Sequence, residues 1–263
     1  MPSTSHPTTL RSEEELQNMK VCLAPSSKTT QMMCNGLSGV GDLYELIGEL
    51  LRLPSNQKYL NPCQKKWVEE QLDESLKMLD LIAAVRDSLV AMREHVQDLR
   101  SAIRRKGNAA TVPAKKAQKL IKGCLRTLKL KNGKALPCSV TIKDSDMLVK
   151  VSVEARQSTL SLLQSIVSFL SKPKQQGRRW SLVSKAVSKR RIACEGELEN
   201  AEMWLQASYD CIACRDVDPV RVLKAQSHLE PLEIRVENLV SGLECLFKRL
   251  IQNRVSLLNL LGS

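Results

Sequence analysis

Two long stretches of the chain carry apolar residues at the spacing of one helical face. The first runs from Gln64 to Lys106 and contains neither glycine nor proline. If wholly helical, it would be about 65 Å long at roughly 1.5 Å per residue. Steps of alternately four and three residues keep a row of side chains on one side of a helix, which a strand could not do. The row consists of Met78, Ile82, Val85, Leu89, Met92, Val96, Leu99 and Ile103.

The closing segment repeats this pattern with a wider apolar stripe. A wide stripe favours a helix in a multi-helix bundle over a two-stranded coiled coil. Polar residues interrupt the segment, so it is not expected to span a bilayer. The row consists of Leu229, Leu232, Val236, Leu239, Leu243, Leu246, Leu250, Asn253, Leu257 and Leu260, widened by Val240, Phe247, Leu258 and Leu261 and interrupted by Lys248, Arg249, Asn253 and Arg254.

The apolar end of this segment has three interpretations: it forms a wall of the core, it docks in the groove of a partner, or it lies on a membrane surface. Continuity with the row beginning at Leu229 favours the core. Asn253 either fixes helix register as a buried polar residue or lies at the wet end of the bundle.

Helix punctuation divides the rest of the chain. Asn61–Pro62 and Asp218–Pro219 are typical of an N-cap followed by proline at the first helical position, and Ser12 with Glu15 fits a capping box. The residues 147–153 alternate like a strand, although their apolar side chains also fit one helical face, which we favour. Shorter helices are predicted at 37–53, 114–130, 146–171 and 181–214, and loops at 22–35, 54–61, 107–113, 131–144 and 172–180.

Together these patterns predict an all-α fold. We expect an elongated multi-helix bundle with two long helices, at about 64–106 and 219–261. Residues 1–35 are expected to be a mostly flexible segment with a short helix, and residues 36–263 a single helical-bundle domain.

The positive charge of the chain is concentrated in two windows. The formal net charge is +12, but residues 99–143 hold thirteen Lys or Arg and no acid, and residues 172–191 hold eight and no acid. The remainder therefore carries −9, from 12 minus 21. The molecule is an acidic-to-neutral scaffold with two basic segments.

The first basic window is the strongest functional lead. Residues 114–134 form a basic amphipathic helix pattern that suits an anionic membrane surface or phosphates, although an ordinary solvated helix face fits equally. Few aromatic residues argue against single-stranded nucleic acid. The residues expected to contact an anionic surface are Arg104, Arg105, Lys106, Lys115, Lys116, Lys119 and Lys122.

The second window offers two regulatory signals. Ser181 follows two arginines and is a candidate phosphosite, or simply the N-cap of the next helix. Lys189, Arg190 and Arg191 are a candidate nuclear import signal.

No catalytic, cofactor or metal site is predicted. Cys211 and Cys214 form a CIAC pair without the further ligands that a zinc site needs, so two buried thiols are the simpler interpretation. His95 is interpreted as a helix-surface or satisfied core histidine. The glycines of GLSGVGDL match no nucleotide-binding motif and are expected to form a turn and helix start.

Cysteine usage and the N-terminus bear on the compartment. The nine cysteines are odd in number and irregularly spaced, and the polar start MPSTSHPTT lacks the layout of a secretory signal. We expect reduced thiols in a cytoplasmic protein, not secreted and without a transmembrane helix, with peripheral membrane or nuclear localisation as alternatives.

Three long strings of sequence resemble a known family. They are GLSGVGDLYELIGELL at 36–51, LDESLKMLDLIAAVRDSLVAMREHVQDLRSAIRRK at 72–106, and RVENLVSGLECLFKRLIQNRVSLLNLLGS at 235–263, with SHPTTLRSEEEL at the start. These strings are similar to the plant BYPASS-type family, a plant-specific domain of unknown function associated with root and shoot development. The resemblance implies no catalytic residues.

The expected function is therefore a non-enzymatic regulatory or scaffold protein that acts through protein–protein contacts, with a peripheral hold on anionic membrane. The alternative is a nuclear regulatory protein whose basic clusters serve import and weak nucleic-acid contact. An enzyme of unrecognised type would need a deep pocket with convergent polar residues.

Overall fold

Four α-helices make up almost all of the part of the chain that the structure describes. The computed structural model describes residues 29–53, 62–105, 147–170 and 219–262. No strand occurs within these ranges, so the predicted all-α fold is confirmed. The helices are α1 (Thr30–Arg52), α2 (Pro62–Arg105), α3 (Met147–Leu170) and α4 (Pro219–Gly262).

Both predicted long helices are confirmed, and each begins with a proline. Pro62 and Pro219 are the first residues of α2 and α4. Proline suits this position because the first backbone N–H groups of a helix have no intrahelical acceptor. The other two confirmed helices overlap the predicted segments 37–53 and 146–171, whereas 114–130 and 181–214 lie outside the described residues.

The prediction of a glycine-led turn before α1 is wrong. The helix begins at Thr30, where Thr29 acts as N-cap and accepts a hydrogen bond from the Met32 N–H at 3.3 Å. Gly36 therefore lies inside the helix, not in a turn. Its missing side chain serves packing, because a Cβ there would come within 2.6 Å of Leu162 Cδ2. Gly36 therefore marks a close approach of α1 and α3.

The strand-like alternation at 147–153 does not produce a strand. These residues form the first turns of α3, whose buried face follows helical spacing. Buried hydroxyl groups on this face, such as those of Ser152 and Thr159, donate to the backbone carbonyl four residues earlier, at 2.7 Å in each case. The buried apolar side chains are Leu148, Val151, Ala155, Leu162, Leu163, Ile166, Val167, Phe169 and Leu170.

Side-chain contacts fix how the helices run relative to one another. Along α2 and α4, Arg100 pairs with Glu233 while Arg254 reaches Ser75, so these two helices are antiparallel. Helix α1 runs parallel to α4, since Leu37 approaches Gly242 and Gly48 approaches Asn253. Helix α3 packs on α1 and runs antiparallel to it, and it meets α2 only sparsely.

The predicted apolar rows of both long helices line the core. Among the row residues with described side chains, every apolar member in α2 and α4 is buried. The end of α4 is therefore a wall of the core, as predicted. Leu258 is the exception to the predicted widening of the stripe, because 51% of it is exposed.

Candidate functional site

The outer side of α2 and α4 carries exposed apolar side chains. On α4, Ile251, Val255 and Leu258 follow each other in steps of four and three, so they share one face. Each is at least two-fifths exposed, and Leu76 of α2 is half exposed. We call these four residues the apolar strip. Single exposed apolar residues are ordinary, but several that share one face of a helix indicate an interaction surface.

Arg254 shows which residues of α2 and α4 lie at the same level along the antiparallel pair. Its guanidinium donates to the backbone carbonyl of Leu72 and, at 2.8 Å, to the hydroxyl of Ser75. Leu76 follows Ser75 directly, and Val255 follows Arg254. Leu76 and Val255 therefore lie at the same level along the antiparallel pair, each on the exposed side of its helix.

A row of acidic residues runs along α2 beside the strip. Asp73, Asp80, Asp87 and Glu94 recur every seven residues and are all exposed. Leu76 lies between Asp73 and Asp80 on the same side of the helix. Asp87 forms an ion pair with Arg86 at 2.9 Å. We call these four residues the acidic row, and together with the apolar strip they form the docking face.

A hydrogen-bonded cluster fastens α2 to α4 further along the pair. Arg93 pairs with Glu237, and Arg100 and Gln97 both donate to Glu233, the amide at 2.8 Å. Burial alone would raise the pKa of Glu233. The hydrogen bonds from Gln97 and Arg100 and the charges of Arg100 and Arg93 outweigh burial and hold that pKa below its usual 4.5. The cluster stabilises the edge of the bundle on which the docking face lies.

We expect the Glu233 carboxylate to stabilise the fold only above moderately acidic pH. Because its pKa is lower in the folded protein, its contribution is present above pH 4.5 and is lost as pH falls through the folded value. Chemical unfolding of the wild type and of Glu233→Gln should give a stability difference that is constant near neutral pH and shrinks below about pH 4.5. A difference independent of pH would contradict a titrating carboxylate at this site.

Buried hydrogen bonds in the interior account for the polar side chain of Asn253 in an apolar row. Its amide Nδ2 donates to the backbone carbonyl of Tyr44 at 2.7 Å, and its Oδ1 would lie 2.9 Å from a Cβ at position 48, where the chain has glycine. The Tyr44 hydroxyl in turn lies 3.3 Å from the Thr159 hydroxyl. Burial raises the pKa of Tyr44 to about 12, against the opposing effects of that hydrogen bond and of the Arg156 charge. Asn253 is thus a satisfied buried residue linking α4 to α1, and its placement at a wet end is wrong.

A small cleft opens beside these buried hydrogen bonds, and Tyr44 and Asn253 contribute to its lining. Its volume is about 40 Å³, room for roughly three water molecules and far below the ~300 Å³ or more of a typical cofactor site. All four helices contribute to it. The lining residues are Tyr44, Ile47, Trp67, Gln71, Glu74, Ser75, Met78, Ser152, Arg156, Leu250, Asn253 and Leu257.

Most of the predicted surface and regulatory residues lie outside the described residues. Arg104 is exposed in the last turn of α2, and Arg105 ends that helix. The others, which the structure leaves as predictions, are Lys106, Lys115, Lys116, Lys119, Lys122, Ser181, Lys189, Arg190 and Arg191, with Cys211 and Cys214.

Two titratable side chains, those of buried His95 and half-buried Cys34, have pKa values shifted by their surroundings. His95 is buried in α2, where burial lowers the pKa of its imidazole and the charge of Asp98 opposes that effect. Burial likewise raises the pKa of the Cys34 thiol, which keeps it protonated at neutral pH. Within the described ranges, three or more His, Cys, Asp or Glu residues do not gather in any group that could hold a metal ion.

A helix that crosses a membrane must be both long and apolar. None of the four described helices combines the two well enough to cross a bilayer.

Comparison with known proteins identifies the family. The family model described as Protein BPS1 matches residues 36–260, so the chain belongs to the BPS1, or BYPASS, family. This membership fits a regulator of root and shoot development in plants. No curated protein and no solved structure matches the chain.

The sequence analysis missed the docking face and the cleft. The seven-residue recurrence of Asp73, Asp80, Asp87 and Glu94 is visible in the sequence and could have indicated an acidic ridge. The apolar strip could not be found in this way, because Leu258 fits the edge of the buried stripe as well as the outer surface. The cleft needs residues from four helices, and no local pattern reports that.

Proposed function

We propose that this BPS1-family protein is a non-enzymatic regulatory scaffold whose docking face binds a basic amphipathic helix of a protein partner. One observation carries the proposal: Leu76 of the apolar strip lies between Asp73 and Asp80 on the exposed side of α2, level with the exposed apolar residues of α4. An amphipathic helix recognised in a groove presents apolar anchors at the same three- and four-residue steps.

The exposed carboxylates of the docking face favour a partner helix that carries positive charge. Asp73 and Asp80 flank Leu76 and are exposed, so a partner helix seated on the strip would place its polar side near two carboxylates. Lysine or arginine there would be attracted, and acidic residues would be repelled. Rim charges of this kind contribute mainly to the association rate and to specificity, whereas the apolar contacts resist dissociation.

The rigidity of the supporting helices favours a preformed site. Arg254 holds α2 through Leu72 and Ser75, and the Glu233 cluster holds the same pair further along. A surface fixed in this way loses little conformational entropy when a partner binds. Binding at this face therefore requires only the folded bundle and its exposed surface, and no chemical step.

The synthetic peptide LKKLLKLLKKLLKL, a basic amphipathic helix, tests this function. We expect it to bind the full-length protein, measured by fluorescence anisotropy, with an affinity that falls as salt screens the charges. Replacing both Asp73 and Asp80 by Lys should weaken binding roughly tenfold or more. Replacing Val255 and Leu258 by Ser should weaken it at any salt concentration.

A matched control separates the docking face from net charge. The double variant Asp42→Lys, Glu154→Lys changes the charge by the same amount on α1 and α3. It should bind the peptide nearly as tightly as the wild type. Equal weakening by both charge-reversed variants would show that the peptide senses only overall charge and would remove the proposed site.

The peripheral hold on anionic lipid and the nuclear alternative are further proposals. Both depend on the basic windows, of which the structure describes only residues 99–105 at the start of the first window. Binding to anionic vesicles decides the first, and the compartment of a fluorescent fusion decides the second.

A further inference from the structure

The cleft contains a buried hydrogen-bond donor that lacks an acceptor. Trp67 is only 4% exposed, and within the described part of the chain its indole Nε1–H has no hydrogen-bond partner. Buried polar groups in folded proteins are nearly always paired with protein or bound solvent. An indole can only donate, so whatever completes this position must supply an acceptor.

A second donor lines the same cleft. Arg156 of α3 lies there with its side chain largely covered, and its closest ionic contact is Glu74 at 3.8 Å between Nη1 and Oε2. That distance is too long for a hydrogen bond. Among the described residues, no hydrogen bond is formed by the guanidinium of Arg156. Its planar set of N–H donors suits a carboxylate, which can accept two of them side by side.

The local charge balance favours an anion. Within the described ranges, Glu74 is the one acidic residue lining the cleft, and its other oxygen is already bound by Lys77 at 2.8 Å. Arg254 brings a further cation to Ser75 at the cleft's edge. Among the described contacts around the cleft, Arg156, Lys77 and Arg254 supply three cations and Glu74 supplies one carboxylate, which favours a second carboxylate.

One part of the lining is apolar, and Gln71, Ser75, Ser152 and Asn253 add polar side chains to the rest. Ile47, Met78, Leu250 and Leu257 contribute hydrocarbon surface from three helices. A few convergent polar groups on an apolar wall are typical of a small-molecule site. Among the described residues, α2 and α3 contact each other only sparsely beside the cleft.

We propose that the cleft binds the carboxylate of a small monocarboxylic acid, with Trp67 Nε1–H and Arg156 as its donors and the first methylene groups against Ile47 and Leu250. The volume of about 40 Å³ suits the carboxylate and the adjoining carbon atoms. This site is separate from the docking face, which lies on the outer side of α2 and α4.

Sodium butanoate is the probe, and the indole N–H of Trp67 is the reporter. In a ¹⁵N-labelled full-length protein carrying Trp180→Phe and Trp204→Phe, Trp67 is the sole tryptophan and gives one indole signal. We expect butanoate at constant ionic strength to shift that signal saturably. Butanamide, which has the same shape without the charge, should bind roughly tenfold more weakly or worse.

Substitution of the second donor completes the test. Arg156→Met should weaken butanoate binding roughly tenfold or more, whereas Arg249→Met, which removes a cation paired with Glu45 on α1, should leave it unchanged. An unshifted indole signal, or equal shifts with butanamide, would overturn the proposal and leave water as the acceptor. If Arg156→Met does not fold, the comparison of butanoate with butanamide on the parent protein decides the matter alone.

Discussion

Replacing Leu246 by Ala is expected to lower the free energy of unfolding by about 2–5 kcal/mol. Leu246 lies in the buried row of α4 and is 1% exposed. Truncating it removes apolar surface from the core and leaves a cavity that the neighbouring helices fill only in part. Since small domains are stable by only about 5–15 kcal/mol, this single change removes a large share of the total.

Leu258→Ala provides the matched control, because the chemical change is the same on the same helix. Leu258 faces solvent, so its loss should alter stability by no more than about 0.5 kcal/mol. Urea unfolding followed by circular dichroism measures both variants. Similar effects of the two changes would mean that the outer and inner sides of α4 are not distinguished, which contradicts the fold described above.

The two long helices could be predicted from the sequence because their signals are local. Proline at the first position of α2 and α4 and the regular apolar rows depend only on neighbouring residues. The same holds for α3, where helical spacing prevails over a short strand-like alternation. Burial of these rows then follows, since an apolar stripe is stable only when it packs against another element.

The start of α1 shows why a local pattern misleads. Gly36 in a loop and Gly36 in a helix look alike in sequence. The requirement for glycine at position 36 comes from Leu162, which lies more than a hundred residues away in the sequence. Its side chain approaches the position that a Cβ of residue 36 would occupy. Gly242 has the same role against Leu37 of α1, with a distance of 2.8 Å from the Cβ position to Cδ1. Glycines selected for helix contact cannot be told from turn glycines until the partner helix is known.

Asn253 and the cleft show a second limit, which is set by tertiary pairing. Asparagine in an apolar row predicts a polar interruption, but the acceptor that satisfies it is the backbone carbonyl of Tyr44 on another helix. Likewise, Trp67 and Arg156 are separated by many residues and converge only because α2 and α3 both line the cleft. Sequence spacing carries no information about such pairs.

The functional proposals depend on α4 having two different faces. Leu250 and its row hold the bundle together, whereas Ile251 and the rest of the apolar strip are left for a partner. If both faces were buried in the isolated protein there would be no docking face. If both were exposed there would be no bundle.

Cysteine accessibility at two adjacent positions tests this claim most directly. In Leu250→Cys the new thiol should be buried, because Leu250 is 2% exposed, and in Ile251→Cys it should be reachable, because Ile251 is 43% exposed. A buried thiol reacts only when the helix opens, and an opening free energy of about 2.7 kcal/mol already slows the reaction roughly a hundredfold. Peptide mass spectrometry distinguishes these positions from the nine natural cysteines, of which Cys63 and Cys245 are exposed within the described ranges.

The decisive measurement is therefore the rate of maleimide labelling of each variant, with and without the peptide LKKLLKLLKKLLKL. We predict that position 251 labels at least about a hundredfold faster than position 250, and that the peptide slows labelling at 251 alone. Equal and rapid labelling at both positions would show that the end of α4 is detached from the bundle. That result would contradict the fold, the docking face and the function proposed from them.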